Sequence, residues 1–176
     1  MHGKRVKLFC GLIVRPCNDI INRARLELEK AFSQIEIESQ RVPFKYTDYY
    51  RKEMGGYLLR FWWGFRELVE PESLSEIKRK TMSIEDMLRD ERGFRQVNID
   101  PGYLDLSRIV LASTKDYSHR IYLRNGIFAE IEYTFVRGKF EPVPWTYPDY
   151  RDTPAMEFFA KLRKIYKDQI RKNCGK

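Results

Sequence analysis

Near the start of the chain Val6, Leu8, Cys10, Leu12 and Val14 alternate with Phe9 and Ile13, so apolar side chains fall on both faces of one extended segment. A strand with two apolar faces belongs at the centre of a sheet. Pro16 and Asn18 interrupt it, and Ile21, Ala24, Leu28 and Ala31 then recur at helical spacing, which predicts a helix to about Phe32 with Asn18 as its N-cap. Ile35, Ile37 and Ser39 alternate with Glu36, Glu38 and Gln40 as a half-buried strand, ended by Pro43. Residues 45–56 are polar and tyrosine-rich and read as a loop with room for one helical turn.

Tyr57, Leu59, Phe61, Trp63 and Phe65 mark the next strand. Ser73 and Glu76 have capping-box spacing before a helix through Leu74, Ile77, Thr81, Ile84 and Leu88, with Gly93 as its stop. Strands are predicted over 95–100, 108–114, 119–124 and 127–136, with Pro101-Gly102 as a tight turn after the first. Thr153 before Pro154 opens a closing helix whose Phe158, Leu162, Ile165 and Ile170 share one side. The order predicts an α+β fold: a mainly antiparallel sheet with helices packed on one face, a ferredoxin-like βαββαβ core extended by a β-meander and a C-terminal helix. No repeat or linker divides residues 1–176, which read as a single domain ending in a frayed basic tail at 171–176.

Length and composition add limits. With 176 residues, 43% hydrophobic and 33% charged, the chain can bury a full core without disulfides. Cys10, Cys17 and Cys174 lack zinc-site spacing and fit a reducing, cytoplasmic setting. The run Leu8 to Val14 is too short for a membrane span, and alternation begins too early for a signal peptide. The net charge of +8 is concentrated at the ends: residues 161–176 carry +6 and Lys4, Arg5 and Lys7 add +3, so the body of the chain is close to neutral. That location makes RNA or an acidic partner at the last helix one possible contact, and a solvated tail the other.

Asn125-Gly126 between two alternating segments is a hairpin signal, since both residues accept positive φ. A two-residue turn there sets Leu123 opposite Phe128, Ile121 opposite Glu130 and His119 opposite Glu132. An imidazole beside a carboxylate on one sheet face is the usual preparation of a general acid or base. An ordinary cross-strand ion pair is the plainer reading of the same register. Ser113, Thr114 and Lys115 leave the apolar strand 109–112 together and could meet an anion at a strand end. Asn98 and Asp100 share one side of their strand. Alternation points Arg120 away from His119. No Walker-type loop, dinucleotide fingerprint, second histidine of a two-histidine phosphodiesterase, or serine or cysteine nucleophile signature is present; His2 lies at the extreme start.

The stretches 98–104 (Asn-Ile-Asp-Pro-Gly-Tyr-Leu) and 111–123 (Leu-Ala-Ser-Thr-Lys-Asp-Tyr-Ser-His-Arg-Ile-Tyr-Leu), with 7–14, 46–55, 126–132 and Trp145 to Arg151, resemble the bacterial and archaeal family catalogued as domain of unknown function 4416. The resemblance spans nearly the whole chain and implies small, single-domain, cytoplasmic relatives. It brings no activity, cofactor or catalytic residue.

The site expectation therefore comes from the residues alone. A phosphate-bearing small molecule such as a nucleotide would be bound, and acted on by His119 and Glu132, with Asn98, Asp100, Ser113, Thr114, Lys115, Arg120 and Glu130 around it. No metal or cofactor is assigned. The alternative is a non-catalytic module that contacts RNA or protein through the basic last helix and the aromatic segment Trp145 to Arg151.

Overall fold

A computed structural model describes residues 4–174. Nine strands form one antiparallel sheet in the order β2-β4-β1-β5-β6-β8-β7, with β3 beside β4 and β9 beside β8. The strands are β1 (Val6–Val14), β2 (Ile35–Glu38), β3 (Val42–Phe44), β4 (Leu58–Val69), β5 (Val97–Leu104), β6 (Arg108–Ser113), β7 (Ile121–Arg124), β8 (Ile127–Val136) and β9 (Lys139–Pro142). The helices are α1 (Asn18–Ala31), α2 (Arg51–Met54), α3 (Leu74–Met87) and α4 (Thr153–Cys174). The run β1-α1-β2-β4-α3-β5 with spatial order β2-β4-β1-β5 is the ferredoxin-like arrangement, and β6 to β9 widen the sheet beyond β5.

Both faces of β1 are covered, and all nine of its residues are buried. Leu8, Cys10, Leu12 and Val14 pack with Ile21, Ala24 and Leu28 of α1 and Ile77 and Ile84 of α3. Phe9, with Trp62 of β4 and Tyr133 of β8, packs with Phe158, Phe159, Leu162 and Tyr166 of α4. The expectation of helices on one face thus holds for α1 and α3, whereas α4 lies on the other. An apolar second face on β1 leaves it no alternative. The helix is described as far as Cys174; residues 175–176 of the segment expected to fray lie outside the described residues.

Several local expectations are corrected. Pro101 and Gly102 lie inside β5, paired with Cys10 and Phe9. Gly102 is needed for close approach: a Cβ there would lie 2.4 Å from Phe9 Cζ and 2.4 Å from the Val110 carbonyl oxygen. The turn from β5 to β6 is made instead by Asp105, whose Oδ1 accepts from the N–H groups of Ser107 and Arg108. Pro43 sits within β3 rather than ending a strand. Neither Asn18 nor Ser73 caps its helix through a side chain; Cys17 is the N-cap of α1, and Ser73 Oγ bonds back to the Glu70 carbonyl. Gly93 falls in a later turn, since α3 ends at Met87 with Leu88 as its C-cap.

The Asn125-Gly126 turn is present, with φ of 55° and 73°. Arg124 pairs with Ile127 as expected, but a bulge at Leu123 then shifts the register, so Tyr122 faces Phe128 and Ile121 faces Ala129. The pairings Leu123 to Phe128, Ile121 to Glu130 and His119 to Glu132 are therefore not formed. The strand starts at Ile121, leaving His119 in the preceding turn.

Candidate functional site

The site begins where the sheet comes apart. β5 and β6 pair only over Gly102 to Leu104 against Leu111 to Ile109; upstream of Gly102 the two strands diverge. Pro101 sits at this divergence, where its missing N–H breaks no ladder bond with β6. The exposed edge of β5 is satisfied from α3 instead. Lys78 Nζ donates to the Ile99 carbonyl at 3.1 Å, and the Ile99 N–H donates to Glu85 Oε1 at 2.5 Å. Lys78 and Glu85 are two turns apart on one side of α3, so helical side chains take the place of a neighbouring strand.

Lys78 also lies 3.0 Å from Asp100 Oδ1, and Asn98 Nδ2 donates to Asp100 Oδ2 at 2.6 Å. Burial pushes the Asp100 carboxyl up, but Lys78 and Arg60 outweigh it and hold the pKa below the usual range. Burial pulls the Lys78 ammonium down, and Asp100 and Glu85 more than restore it. Glu85 is pushed up to about 7 by burial, against the pull of Lys78.

Asn98 and Asp100 face a cleft of roughly 430 Å³ on the α4 side of the sheet. Ser113, Thr114, Lys115 and Glu130 line it with them, while Tyr46, Tyr49 and Tyr50 of the β3–β4 connection and the segment Tyr147 to Tyr150 form its walls. The pocket thus lies beyond the part of that face covered by α4.

Arg60 occupies the floor. It is 3% exposed, lies over the rings of Trp62 and Tyr150 at 4.5 and 5.3 Å, and has its Nε 2.8 Å from Asp149 Oδ2. The guanidinium lies over Gly11, where a Cβ would come within 3.1 Å of both terminal nitrogens. Its Nη1 has no hydrogen-bond partner among the described residues. A buried cation with an unmatched donor on the floor of a cleft is an unsatisfied demand for an anionic or carbonyl acceptor.

His119 belongs to a neighbouring network. Its Nε2 lies 2.8 Å from Glu130 Oε2, and its ring is stacked between Tyr117 at 6.0 Å and Trp145 at 5.1 Å. Arg120 approaches the other oxygen of Glu130 at 2.8 Å and donates to Ser113 Oγ, the Lys115 carbonyl and Tyr147 Oη. His119 and Arg120 therefore converge on one carboxylate instead of pointing apart, because they lie in a turn where strand alternation does not operate. Glu130 is the shared wall: it lines the cleft, whereas His119 and Arg120 do not.

Glu132 is separate from His119. It is fully buried, accepts from the Tyr147 N–H at 3.2 Å through Oε2, and leaves Oε1 without a partner. Burial first, then the charge of Glu130, pushes its pKa up to about 8, so it is largely neutral at pH 7. The expected His119–Glu132 pair does not form; His119 is paired with Glu130.

Six of the expected site residues, Asn98, Asp100, Ser113, Thr114, Lys115 and Glu130, share the cleft. Pattern reading missed Arg60, Lys78 and the tyrosine wall. Arg60 carried a signal, as a cation inside the otherwise apolar run Leu58 to Phe65. Among the described residues no group of three or more His, Cys, Asp or Glu side chains is placed to hold a metal ion. No helix among them is long and apolar enough to cross a membrane.

Fold and site together define an α+β protein with a ferredoxin-like core and a polar-floored, tyrosine-walled cleft at a split in its sheet. The family model described as Domain of unknown function (DUF4416) matches residues 4–166, and the chain belongs to that family. No curated protein and no solved structure matches it.

Proposed function

We propose that this protein binds a phosphate-bearing small molecule in the cleft between β5, β6 and the Tyr46 to Tyr50 segment. The observation that carries the reading is Arg60, a buried guanidinium on the cleft floor with Nη1 unpartnered. Charged hydrogen bonds to phosphate oxygens are among the stronger ones available to such a group. Lys115 supports it from the rim, where its ammonium lies 4.7 Å over the Tyr49 ring and no carboxylate pairs with it among the described residues. The Ser113-Thr114 hydroxyl groups sit beside it on the same lining.

The Glu130 network frames this pocket. With both oxygens engaged by His119 and Arg120, Glu130 fixes the end of β6, the turn before β7 and Tyr147 relative to one another. In this reading its work is to hold the cleft in shape, and His119 is a positioning residue.

The test is thermal unfolding with inorganic phosphate and a panel of nucleosides and nucleotides, on wild type, Arg60→Lys and Lys115→Ala. A ligand at one hundred times its Kd stabilises by about 2.7 kcal/mol, which in a chain of this size raises Tm by roughly 5–10 °C. Lys115→Ala, at an exposed position, should keep the wild-type Tm without ligand and lose much of the increment. No stabilisation by any compound overturns the reading. Salt-sensitive RNA binding in its place, abolished by neutralising the exposed Lys161, Lys164 and Lys167 of α4, would establish the alternative.

A further inference from the structure

The charges lining the cleft limit how much negative charge its ligand can carry. Lys78 is engaged by Asp100 and Arg60 by Asp149, and both of these carboxylates line the same pocket. Arg95 is paired with Glu53 at 2.7 Å. Glu85 and Glu130 are two further acidic residues on the lining, and the partners of Glu130, His119 and Arg120, stand outside the pocket. What remains for an incoming anion is the Arg60 guanidinium on the floor, whose buried Nη1 has no hydrogen-bond partner among the described residues, and one rim cation, Lys115. Each further negative charge on the ligand would meet Asp100, Asp149 and Glu130 at close range with no cation left to answer it.

The upper part of the cleft differs. Tyr49 is 60% exposed and Tyr46 and Tyr147 are more than a third exposed, although all three line the pocket. Exposed rings around a concavity gain by covering their apolar faces, and a flat ring system does so by stacking. The volume of roughly 430 Å³ is that of a small-molecule site.

We infer that the ligand is a planar-ringed monophosphate, its single phosphoryl group on the Arg60 floor and its ring against the Tyr46, Tyr49 and Tyr147 wall, and that diphosphates and triphosphates are disfavoured. This rests on the cleft reading above and adds the class of ligand. The geometry assigns discrimination between nucleotides to Asp100, Asp149 and Glu130, which act by repulsion.

Isothermal titration in a buffer free of divalent cations tests it, with one nucleoside in four forms: unphosphorylated, 5′-monophosphate, diphosphate and triphosphate. The monophosphate is expected to bind best, with the triphosphate at least tenfold weaker and the nucleoside weaker by a similar factor. Arg60→Lys should narrow the gap between monophosphate and nucleoside. Glu130→Gln removes one repelling charge and, with its triphosphate affinity read against its own monophosphate affinity so that any loss of shape weighs on both, should bring the triphosphate closer to the monophosphate, and Tyr49→Ala should weaken the nucleoside and the monophosphate by similar factors. A triphosphate that binds wild type as well as or better than the monophosphate overturns this inference and leaves phosphate binding standing. No binding of any phosphorylated form, with inorganic phosphate also silent, overturns both.

Discussion

Glu132→Gln isolates the electrostatic cost of the buried carboxyl behind the Tyr147 segment. In the folded protein Glu132 is fully buried, has one unpartnered oxygen and titrates at about 8; in the unfolded chain it returns to about 4.5. Between those values the native state holds a proton that the unfolded state releases, so the contribution of this group to stability falls as pH rises. At about 1.4 kcal/mol for each pH unit of offset, the loss from pH 5 to pH 8 is on the order of 3 kcal/mol, or roughly 6–12 °C in Tm for a chain of this length. Above pH 8 the folded carboxyl is ionised as well, and the cost levels off. Glutamine is neutral throughout and close to isosteric. Thermal unfolding of both proteins from pH 5 to pH 9 should therefore show nearly equal Tm at the acid end, a gap widening in favour of the variant up to pH 8, and a plateau beyond. Taking the difference cancels titrations the two proteins share. A gap that is constant with pH, or that widens towards acid, refutes the burial argument.

Other expectations address the seam and the network beside it. Gly102→Ala forces a Cβ against Phe9 and the Val110 carbonyl and should cost about 1–3 kcal/mol by chemical denaturation; an unchanged midpoint would show that β5 and β6 can separate there freely. Lys78→Met leaves Asp100 without its ammonium partner and the Ile99 carbonyl with only the distant Thr81 hydroxyl, so a loss of roughly 3 kcal/mol is expected, checked by urea unfolding. Arg120→Ala should be the more severe change at Glu130, by several kcal/mol, because a buried charge loses its main partner. His119→Ala leaves that partner in place and should cost about 1 kcal/mol; equal effects in the two variants would contradict the assignment of Arg120 as the principal holder of Glu130.

Much of the fold could be read from the residues because it depends on short-range periodicity. Alternation in β1 and β4, the apolar stripes of α1, α3 and α4, and Asn125-Gly126 each point to one element whatever the rest of the chain does. Failures came where a residue type has two uses. Pro101-Gly102 has the composition of a turn, yet Gly102 is present so that Phe9 and β6 can approach, which only the packing reveals. Arg137 and Gly138, with φ of 49° and 86°, reverse the chain into β9, a strand pattern reading did not supply.

The candidate site divides in the same way. Ser113, Thr114 and Lys115 stand out in the sequence as polar groups at a strand end and Asn98 and Asp100 as polar groups on one side of a strand, and they meet because β5 parts from β6 upstream of Gly102. The partner of His119 was not legible: one bulged residue at Leu123 moves every earlier side chain of the hairpin by one position, and no local rule required that bulge. By itself the sequence determined which segments are strands and helices, and that β1 must be covered on both sides, since periodicity and apolar burial are properties of neighbouring residues. The tertiary structure alone decided that α4 supplies the second cover, that Lys78 and Glu85 reach the open edge of β5, and that Arg60 is left short of a partner on the floor of a cleft. Those outcomes depend on distances between residues far apart in the chain, set when the sheet closes and the helices dock.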